Sequence, residues 1–385
     1  MMSDSSLAFT VEELEVFLFR APAEPPVQTS FGVMRDRPAL LVRVTDADGS
    51  VGWGEVWCNF PTVGAEHRAR LLLAYLRPLL RGRDWESPAA CFRHASERLA
   101  VLAIQSGEHG PLQQAVAGVD LALWDLVARR ARQPLWKLLG GESARVRVYA
   151  SGINPSEPEK LAEAKLCEGY RAFKLKVGFG AERDERNLFA MREAIGADTP
   201  LMVDANQAWS LDEARAAGRR MAPHDLAWLE EPMRADASTA DWEELARSQP
   251  LALAGGENLA GLAQFDEAIG AKRLAIVQPD LGKWGGLSGC LEVARRTLAE
   301  GKQLCPHWLG AGIGLAASMH FKAAIGGAGY VEVDANPNPL RELTALPGFV
   351  VDEGEVRLSD RPGLGVEPDL EACRRYAVAI PMVGI

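Results

Sequence analysis

In the stretch RAFKLKVG, Lys174 and Lys176 sit two residues apart within what reads as a short buried strand. Side chains alternate along a strand, so both ammonium groups share one face, where they repel each other and resist burial. Such a pair needs a negative field nearby, or it is put to use. Crowding also lowers the pKa of one member, which predicts a neutral amine base. Downstream, Asp204, Glu230 and Glu257 each close a short apolar run, in PLMVDAN, LAWLEEP and LALAGGE. Neighbouring carboxylates cannot all stay ionised without a counter-charge. Oxygen-only ligands with no paired cysteines suit Mg2+, which leaves positions for water and substrate. Asn206 shares the face of Asp204 and could support that ligand or the substrate. Alternation alone leaves Glu230 and Glu231 interchangeable. Further on, Asp280 and His307 form a second set, because a carboxylate beside an imidazole fixes its tautomer and raises its basicity. There is no GxSxG elbow, and Cys305 lies inside an apolar run, so the pair reads as an acid/base and not as part of a hydrolase triad. Glu332 closes the series; protonated, it could hydrogen-bond a substrate carboxylate. Taken singly, each residue has a plainer reading: solvated lysines at a strand end, or ordinary carboxylates at loop starts.

Something must bring these positions together. From Val146 onward, short apolar runs alternate with helical patterns, and the ionisable strand ends recur at intervals of roughly 23–28 residues, the length of a strand, a helix and two short loops. Eight such runs, beginning with VRVYAS, predict a (β/α)8 barrel, with its functional groups at the C-terminal strand ends. A doubly wound sheet, the alternative, would gather its site at one switch point. Ser156 with Glu159 and Ser210 with Glu213 read as capping boxes. Leu188, Met191 and Ile195 mark one apolar helix face, and Leu287, Leu291, Ala294 and Leu298 another. Before Val146 the pattern is antiparallel: ALLVRVTDADGSVGWGEVW carries a hairpin signal at Asp48-Gly49. Helical spacing follows over 65–83 and 112–130, the latter with Val119, Leu123, Leu126 and Val127 on one face, and a stop falls at Gly140-Gly141.

Composition excludes several classes. The formal charge of −10 argues against nucleic acid and anionic membranes as partners. No apolar run approaches the ~20 residues that span a bilayer. The stretch MMSDSSLAFTVEELEVFLF lacks the features of a signal peptide. The cysteines (Cys58, Cys91, Cys167, Cys290, Cys305 and Cys373) are scattered without a CxxC, which predicts free thiols in a cytoplasmic protein. GAGIG, from Gly310 to Gly314, lacks the GxGxxG spacing of a nucleotide-binding turn and reads as a glycine-rich helix start.

The chain resembles the enolase superfamily and, within it, the mandelate racemase group. The matching stretches are GVDLALWDLVARRARQPLWKLLGG, FKLKVG, MVDANQAW, WLEEP, GGENL, QPDLGKWGGLSG and PHWLGAGIG, in the family's order and spacing. The resemblance implies a modified TIM barrel, (β/α)7β, over residues 141–344. An α+β capping domain of residues 1–140 would sit on it, completed by 345–385. It also implies Mg2+ as cofactor, with Asp204, Glu230 (over Glu231) and Glu257 as ligands. Lys176 would be the base on one face, tuned by Lys174, which contacts the substrate carboxylate. His307 with Asp280 would serve the other face. Glu332 matches the strand-eight carboxyl group, with Asp334 on its own face. Substrate contacts would come from the loops FRAPAEPPVQTSFGVMRDRP and VWCNFPTVG, which nominates Arg20, Arg35, Trp57, Asn59 and Phe60 beside Lys174 and Asn206. Two bases flanking a metal-held carboxylate suit removal of an α-proton through an enediolate. The expected activity is a lyase: a dehydratase acting on an acid-sugar type hydroxy-carboxylate and eliminating water. The alternatives are a racemase or epimerase using Lys176 and His307 as opposed bases and, in another class, a non-catalytic barrel that binds a partner. The expected partner is a small carboxylate, and the expected assembly a homo-oligomer.

Overall fold

Gly52 and Gly54 decide how the N-terminal part is built. They lie on β3 (Val51–Val56), which pairs antiparallel with β2 (Gly32–Asp46), itself paired with β1 (Phe9–Thr29). The short β4 (Asp84–Trp85) completes the sheet order β3-β2-β1-β4. The helix His109–Arg130 lies directly on β3. A Cβ at Gly54 would stand 2.0 Å from the Gly118 carbonyl oxygen, and one at Gly52 2.1 Å from that of Ala122. Only glycine permits that approach. The computed structural model describes residues 7–270 and 273–380, so the first residues of the N-terminal stretch and the last of the C-terminal segment read above lie outside the described residues.

The helix His109–Arg130 is buried on all sides from Gln114 to Ala128, not on one face as its spacing suggested. It is sandwiched between β3 and the helix Gly286–Ala299, where the Asp120 carboxylate accepts hydrogen bonds from the Ser288 amide (2.9 Å) and hydroxyl (2.6 Å).

Among the described residues, eight parallel strands follow. They are β5 (Arg145–Ile153), β6 (Phe173–Lys176), β7 (Leu201–Asp204), β8 (Leu226–Glu230), β9 (Leu253–Gly255), β10 (Ile276–Val277), β11 (Gln303–Leu304) and β12 (Val331–Asp334). They pair in sequence from β5 to β11, and β12 returns to β5 with Val331 opposite Val148 and Asp334 opposite Ser151. On its other side the Glu332 amide donates to Pro306 O at 3.4 Å. A helix of nine residues or more separates each consecutive pair, whereas β12 is followed by the short helix Pro339–Leu343. This is the (β/α)7β form and not eight complete βα units. The hairpin β13 (Val351–Asp352) and β14 (Glu355–Arg357) extends the start of β5 antiparallel.

Inside the barrel, Tyr149, Ala172, Met202, Trp228, Ala254, Ile276 and Cys305 pack as one apolar layer. Met202, Trp228 and Cys305 stand two residues before Asp204, Glu230 and His307, and Ala172 two before Lys174, so strand alternation sets polar groups directly above an apolar plug. Cys305 is thus a packing residue.

The Ser210–Glu213 capping box is formed. The Ser156–Glu159 box is not, because Pro158 opens that helix with Glu157 as its N-cap. Ser156 stands one residue too early, and its hydroxyl accepts a hydrogen bond from Arg183 instead.

Candidate active site

All of β6 is buried, and its two lysines are answered by acids from the neighbouring strands. The Lys174 ammonium, with no exposed side-chain surface, reaches Glu230 Oε1 at 2.6 Å, Glu332 Oε1 at 2.8 Å and Asp204 Oδ2 at 3.8 Å. It also lies over the Tyr149 ring, 5.4 Å from its centre. The Lys176 ammonium is 2.5 Å from Asp204 Oδ2. These distances correct the sequence expectation of a lowered lysine pKa. Burial and the Lys174 charge push Lys176 down, but Asp204 and Glu230 together hold it above the usual lysine range. Burial likewise opposes the charge on Lys174, yet Glu230 and Glu332 hold it well above that range.

The carboxylates split according to their partners. Asp204 accepts from the Asn206 amide (2.8 Å) and side chain (3.1 Å); burial would raise it, but the two lysines hold it below the usual range. Glu230 accepts from Gln278 at 2.6 Å, and burial pushes it up to about 7 against the pull of Lys174. Glu231 takes a positive φ of 36° that turns it away from Glu230 and on to the Asn258 side chain, at 3.0 and 2.8 Å. Burial, then Glu257, pushes it well above the carboxylate range. Glu257 is hydrogen-bonded to His307 Nε2 and lies 3.3 Å from Lys283; against burial, those two cations hold it well below its usual range.

His307 Nδ1 meets Asp280 Oδ2 at 2.6 Å, while Asp280 Oδ1 accepts the Gly282 and Lys283 amides at 2.8 and 3.0 Å. Burial would discharge the imidazole, but Glu257 and Glu332 raise it well above its usual range. Glu332 differs from the sequence reading of a neutral acid. It accepts from the Ser151 hydroxyl and from the Trp308 amide at 3.2 Å, and Lys174 and His307 overcome burial to keep it below the usual carboxylate range. Asp334, on the same strand, is engaged by Arg37 at 2.6 Å.

Among the described residues no three His, Cys, Asp or Glu side chains are already drawn together tightly enough to hold an ion. The acids are turned on to Lys174, Lys176, Lys283 and His307. The donor chemistry nevertheless fits a hard cation. Asp204, Glu230 and Glu257 close or directly follow three consecutive strands, the ring's carboxylates outnumber its cations, and the buried acceptor oxygens Asn206 Oδ1 and Gln278 Oε1 beside them have no donor.

The sequence-nominated cap residues fare differently. Asn59 is buried and donates to Leu309 O at 2.9 Å, two residues beyond His307. Trp57 lies over the Lys283 ammonium at 4.7 Å, and Phe60 packs near Trp57 and against Phe31. Arg20 is engaged within the cap by Asp36 and Glu66, at 2.5 and 2.7 Å. Arg35 is exposed on the cap surface. Sequence reasoning missed Arg37, which lies two residues further along the same lid segment and is 1% exposed. It also missed Gln278 and Lys283, although both flank Asp280 in the motif QPDLGK, and Tyr149, whose buried hydroxyl has no partner among the described residues.

A barrel closed beneath an α+β cap, with a mouth ringed by paired lysines, consecutive carboxylates and an Asp–His dyad, has the architecture of the enolase superfamily. Residues 158–372 match the family described as enolase C-terminal domain-like, and residues 13–140 match the mandelate racemase / muconate lactonizing enzyme N-terminal domain. The chain belongs to the mandelate racemase / muconate lactonizing enzyme family. It is 35% identical over 376 residues to the 3,6-anhydro-α-L-galactonate cycloisomerase of Streptomyces coelicolor, covering 96% of this chain and 99% of the relative. The structure of a mandelate racemase/muconate lactonizing enzyme from Bordetella bronchiseptica superposes with a TM-score of 0.89 at 54% identity, covering 96% of this chain and 99% of that one. A racemase from Streptomyces coelicolor, solved with bound magnesium, superposes with a TM-score of 0.87 at 33% identity over 96% of this chain and all of that one.

Proposed function

We propose that this protein is a Mg2+-dependent enzyme that removes the α-proton of an acid-sugar type hydroxy-carboxylate and expels the oxygen on its β-carbon. The observation that carries the reading is the juxtaposition of two proton-transfer groups, Lys176 on β6 and the His307–Asp280 dyad beyond β11 and β10, with the acids Asp204, Glu230 and Glu257 between them. In this reading the substrate carboxylate is drawn to Lys174 and its α-carbon lies between Lys176 and His307. One of these groups, as the free base, takes the α-proton, and the C–H electron pair enters the carboxylate as an enediolate. Collapse of that pair breaks the bond to the β-oxygen, which leaves with a proton from the His307 imidazolium. Held by Asp204, Glu230 and Glu257, Mg2+ would offset the charge that keeps Lys176 protonated and stabilise the doubly negative enediolate. Glu332, ionised beneath Lys174 and His307, positions both.

The leaving oxygen sets the reaction name. A free hydroxyl leaves as water and makes the enzyme a dehydratase. A ring oxygen stays attached and makes it a cycloisomerase. The 3,6-anhydro bridge in the name of the Streptomyces relative's substrate puts an ether oxygen on the β-carbon, which supports the second form. Re-protonation from the opposite face, without expulsion, is the racemase alternative. A purely binding role is disfavoured by the complete ring of carboxylates and opposed proton-transfer groups. Incubation with aldonates, aldarates and their anhydro and lactone forms, followed by trapping of 2-keto acids, tests the reading. Keto-acid formation supports elimination, inversion alone supports racemisation, and neither outcome across the series overturns it.

We divide the chain into a cap of residues 1–140 completed by 345–385 and a barrel of 141–344. Pairing of the C-terminal segment with β1, through the Val378 amide on Leu18 O at 2.9 Å, supports this. Among the described residues no helix is long and apolar enough to cross a membrane. The cysteines are free, which supports a reducing, cytoplasmic setting. Exposed Val101 and Ile104 on the helix Pro88–Ser106 support a homo-oligomer.

A further inference from the structure

The two barrel helices that follow the strands of the acid/base dyad have no cap of their own. The helix Gly286–Ala299, beyond Asp280, begins after Gly285, and the helix Gly312–Ile325, beyond His307, begins after Ala311; neither N-cap residue supplies a side chain. The barrel helices beyond β7 and β8 differ, being capped locally by Ser210 and Ser238. The first amides of a helix need acceptors, and its N-terminus favours negative charge. Thr344 Oγ1 accepts the Gly312 amide at 2.8 Å, but the acidic acceptor at each of these two helix starts comes from the N-terminal cap. Glu55, at the end of β3, accepts from the Ala311 amide at 2.5 Å and the Gly314 amide at 2.8 Å. Asp120, on the buried helix His109–Arg130, accepts from the Ser288 amide and hydroxyl at 2.9 and 2.6 Å. Both acids are almost fully buried.

The grip extends to the loop between His307 and its helix, where Arg37 and Asn59 both donate to Leu309 O, at 2.8 and 2.9 Å. The packing is tight, since a Cβ at Gly314 would stand 1.9 Å from the Trp308 ring. On the Lys176 flank the cap contacts are of another kind. They are neutral hydrogen bonds from the β1–β2 tip: the Ser30 hydroxyl to Asn206 O at 2.9 Å and the Gln28 amide to the Asn154 side chain at 2.9 Å.

We infer that Glu55 and Asp120 are positioning residues, through which the cap fixes the two helices that follow His307 and Asp280 and so sets the geometry of that one base. This rests on the reading of His307–Asp280 as the acid/base dyad. Burial pushes both acids up to about 7 despite the amides they accept. For Glu55 this holds even with the Arg37 guanidinium nearby, because burial is the larger influence.

The test needs no turnover, so it is independent of whether the proposed reaction is correct. In protein labelled with [15N]histidine, the low-field Nδ1 proton of His307 on Asp280 is assigned by its loss in His307→Asn. In Glu55→Ala that resonance should be lost to exchange, and in Glu55→Gln, which retains one acceptor oxygen, it should be kept but broadened. Asp120→Asn should broaden it as well. Asp125→Asn is the control. Asp125 is an equally buried acid of the same cap helix, but it accepts from the Trp53 and Leu364 amides at 2.8 and 2.7 Å and from Arg129, all outside those two helices. It should leave the signal sharp. An unaltered resonance in the Glu55 variants, or an equal loss in Asp125→Asn, overturns the inference. If Glu55→Ala does not fold, the two isosteric variants decide the matter against the same control.

Discussion

Replacing Asp280 with Asn should disarm one face of the active site and spare the other. Asp280 Oδ1 holds the Gly282 and Lys283 amides, and Oδ2 holds His307 Nδ1 at 2.6 Å. An asparagine keeps the first pair of bonds with its carbonyl oxygen and so turns its NH2 group toward the imidazole. That group only donates, so Nδ1 must present its lone pair and the ring proton must move to Nε2. Nε2 is the atom that faces Glu257 and Glu332 across the mouth, so the basic lone pair leaves the place where an α-proton would be taken. The carboxylate that stabilises the imidazolium is removed in the same step. General acid–base catalysis contributes ~10²–10⁴ in rate, equivalent to about 3–5 kcal/mol of barrier. The assay is deuterium exchange in D2O, followed by NMR, on the two C2 epimers of a turned-over acid, since each epimer offers its α-proton to one face. Exchange on the His307 face should fall ~10²–10⁴-fold while exchange on the Lys176 face changes by a few-fold at most. Equal losses on both faces, or full activity on both in a folded variant, would refute the reasoning.

Other outcomes follow from the same geometry. Lys174→Ala leaves Glu230 and Glu332 buried without their cation, and breaking such a pair should destabilise the fold by about 3–5 kcal/mol, read as a lower denaturant midpoint. Gly54→Ala forces a methyl group on to the Gly118 carbonyl and should cost at least about 1–3 kcal/mol, read as a lower Tm. His320 joins three segments, accepting the Trp136 amide and bonding Leu364 O, both at 3.1 Å; burial pushes its pKa from 6.5 down to about 4. The unfolded chain therefore takes up this proton first. The stabilisation from neutral His320 is full above about pH 6.5, falls as the pH drops toward 4, and totals about 3 kcal/mol. His320→Gln should lose about 2 kcal/mol less than the parent between pH 7 and 5 in urea unfolding, and identical acid slopes would contradict it.

The ring of ionisable strand ends was legible because a barrel repeats one unit, so strand ends announce themselves by period and by ending apolar runs. What escaped was set by contacts between distant parts of the chain. Alternation alone could not separate Glu230 from Glu231, because the backbone leaves the strand at Glu231 with a positive φ. The repulsion between Lys174 and Lys176 was visible in the spacing, but the acids 2.5–2.6 Å away that reverse its effect were not. Ser156 failed as a cap because Pro158 moved the helix start by one residue, a local signal that was present in the sequence. Glu55 and Asp120 gave no sign, since the helix ends that they cap lie far along the chain. Among the lid arginines, residue type could not distinguish Arg20 and Arg35 from Arg37, because burial decides it.

The most direct test of Mg2+-dependent proton abstraction is α-proton exchange in D2O, read by proton NMR on a series of acid sugars, with Mg2+ present and then with a chelator. The α-proton signal of at least one acid should vanish with Mg2+, persist under chelation, and vanish again when Mg2+ is restored. Exchange that continues undiminished in the metal-free protein would contradict the account.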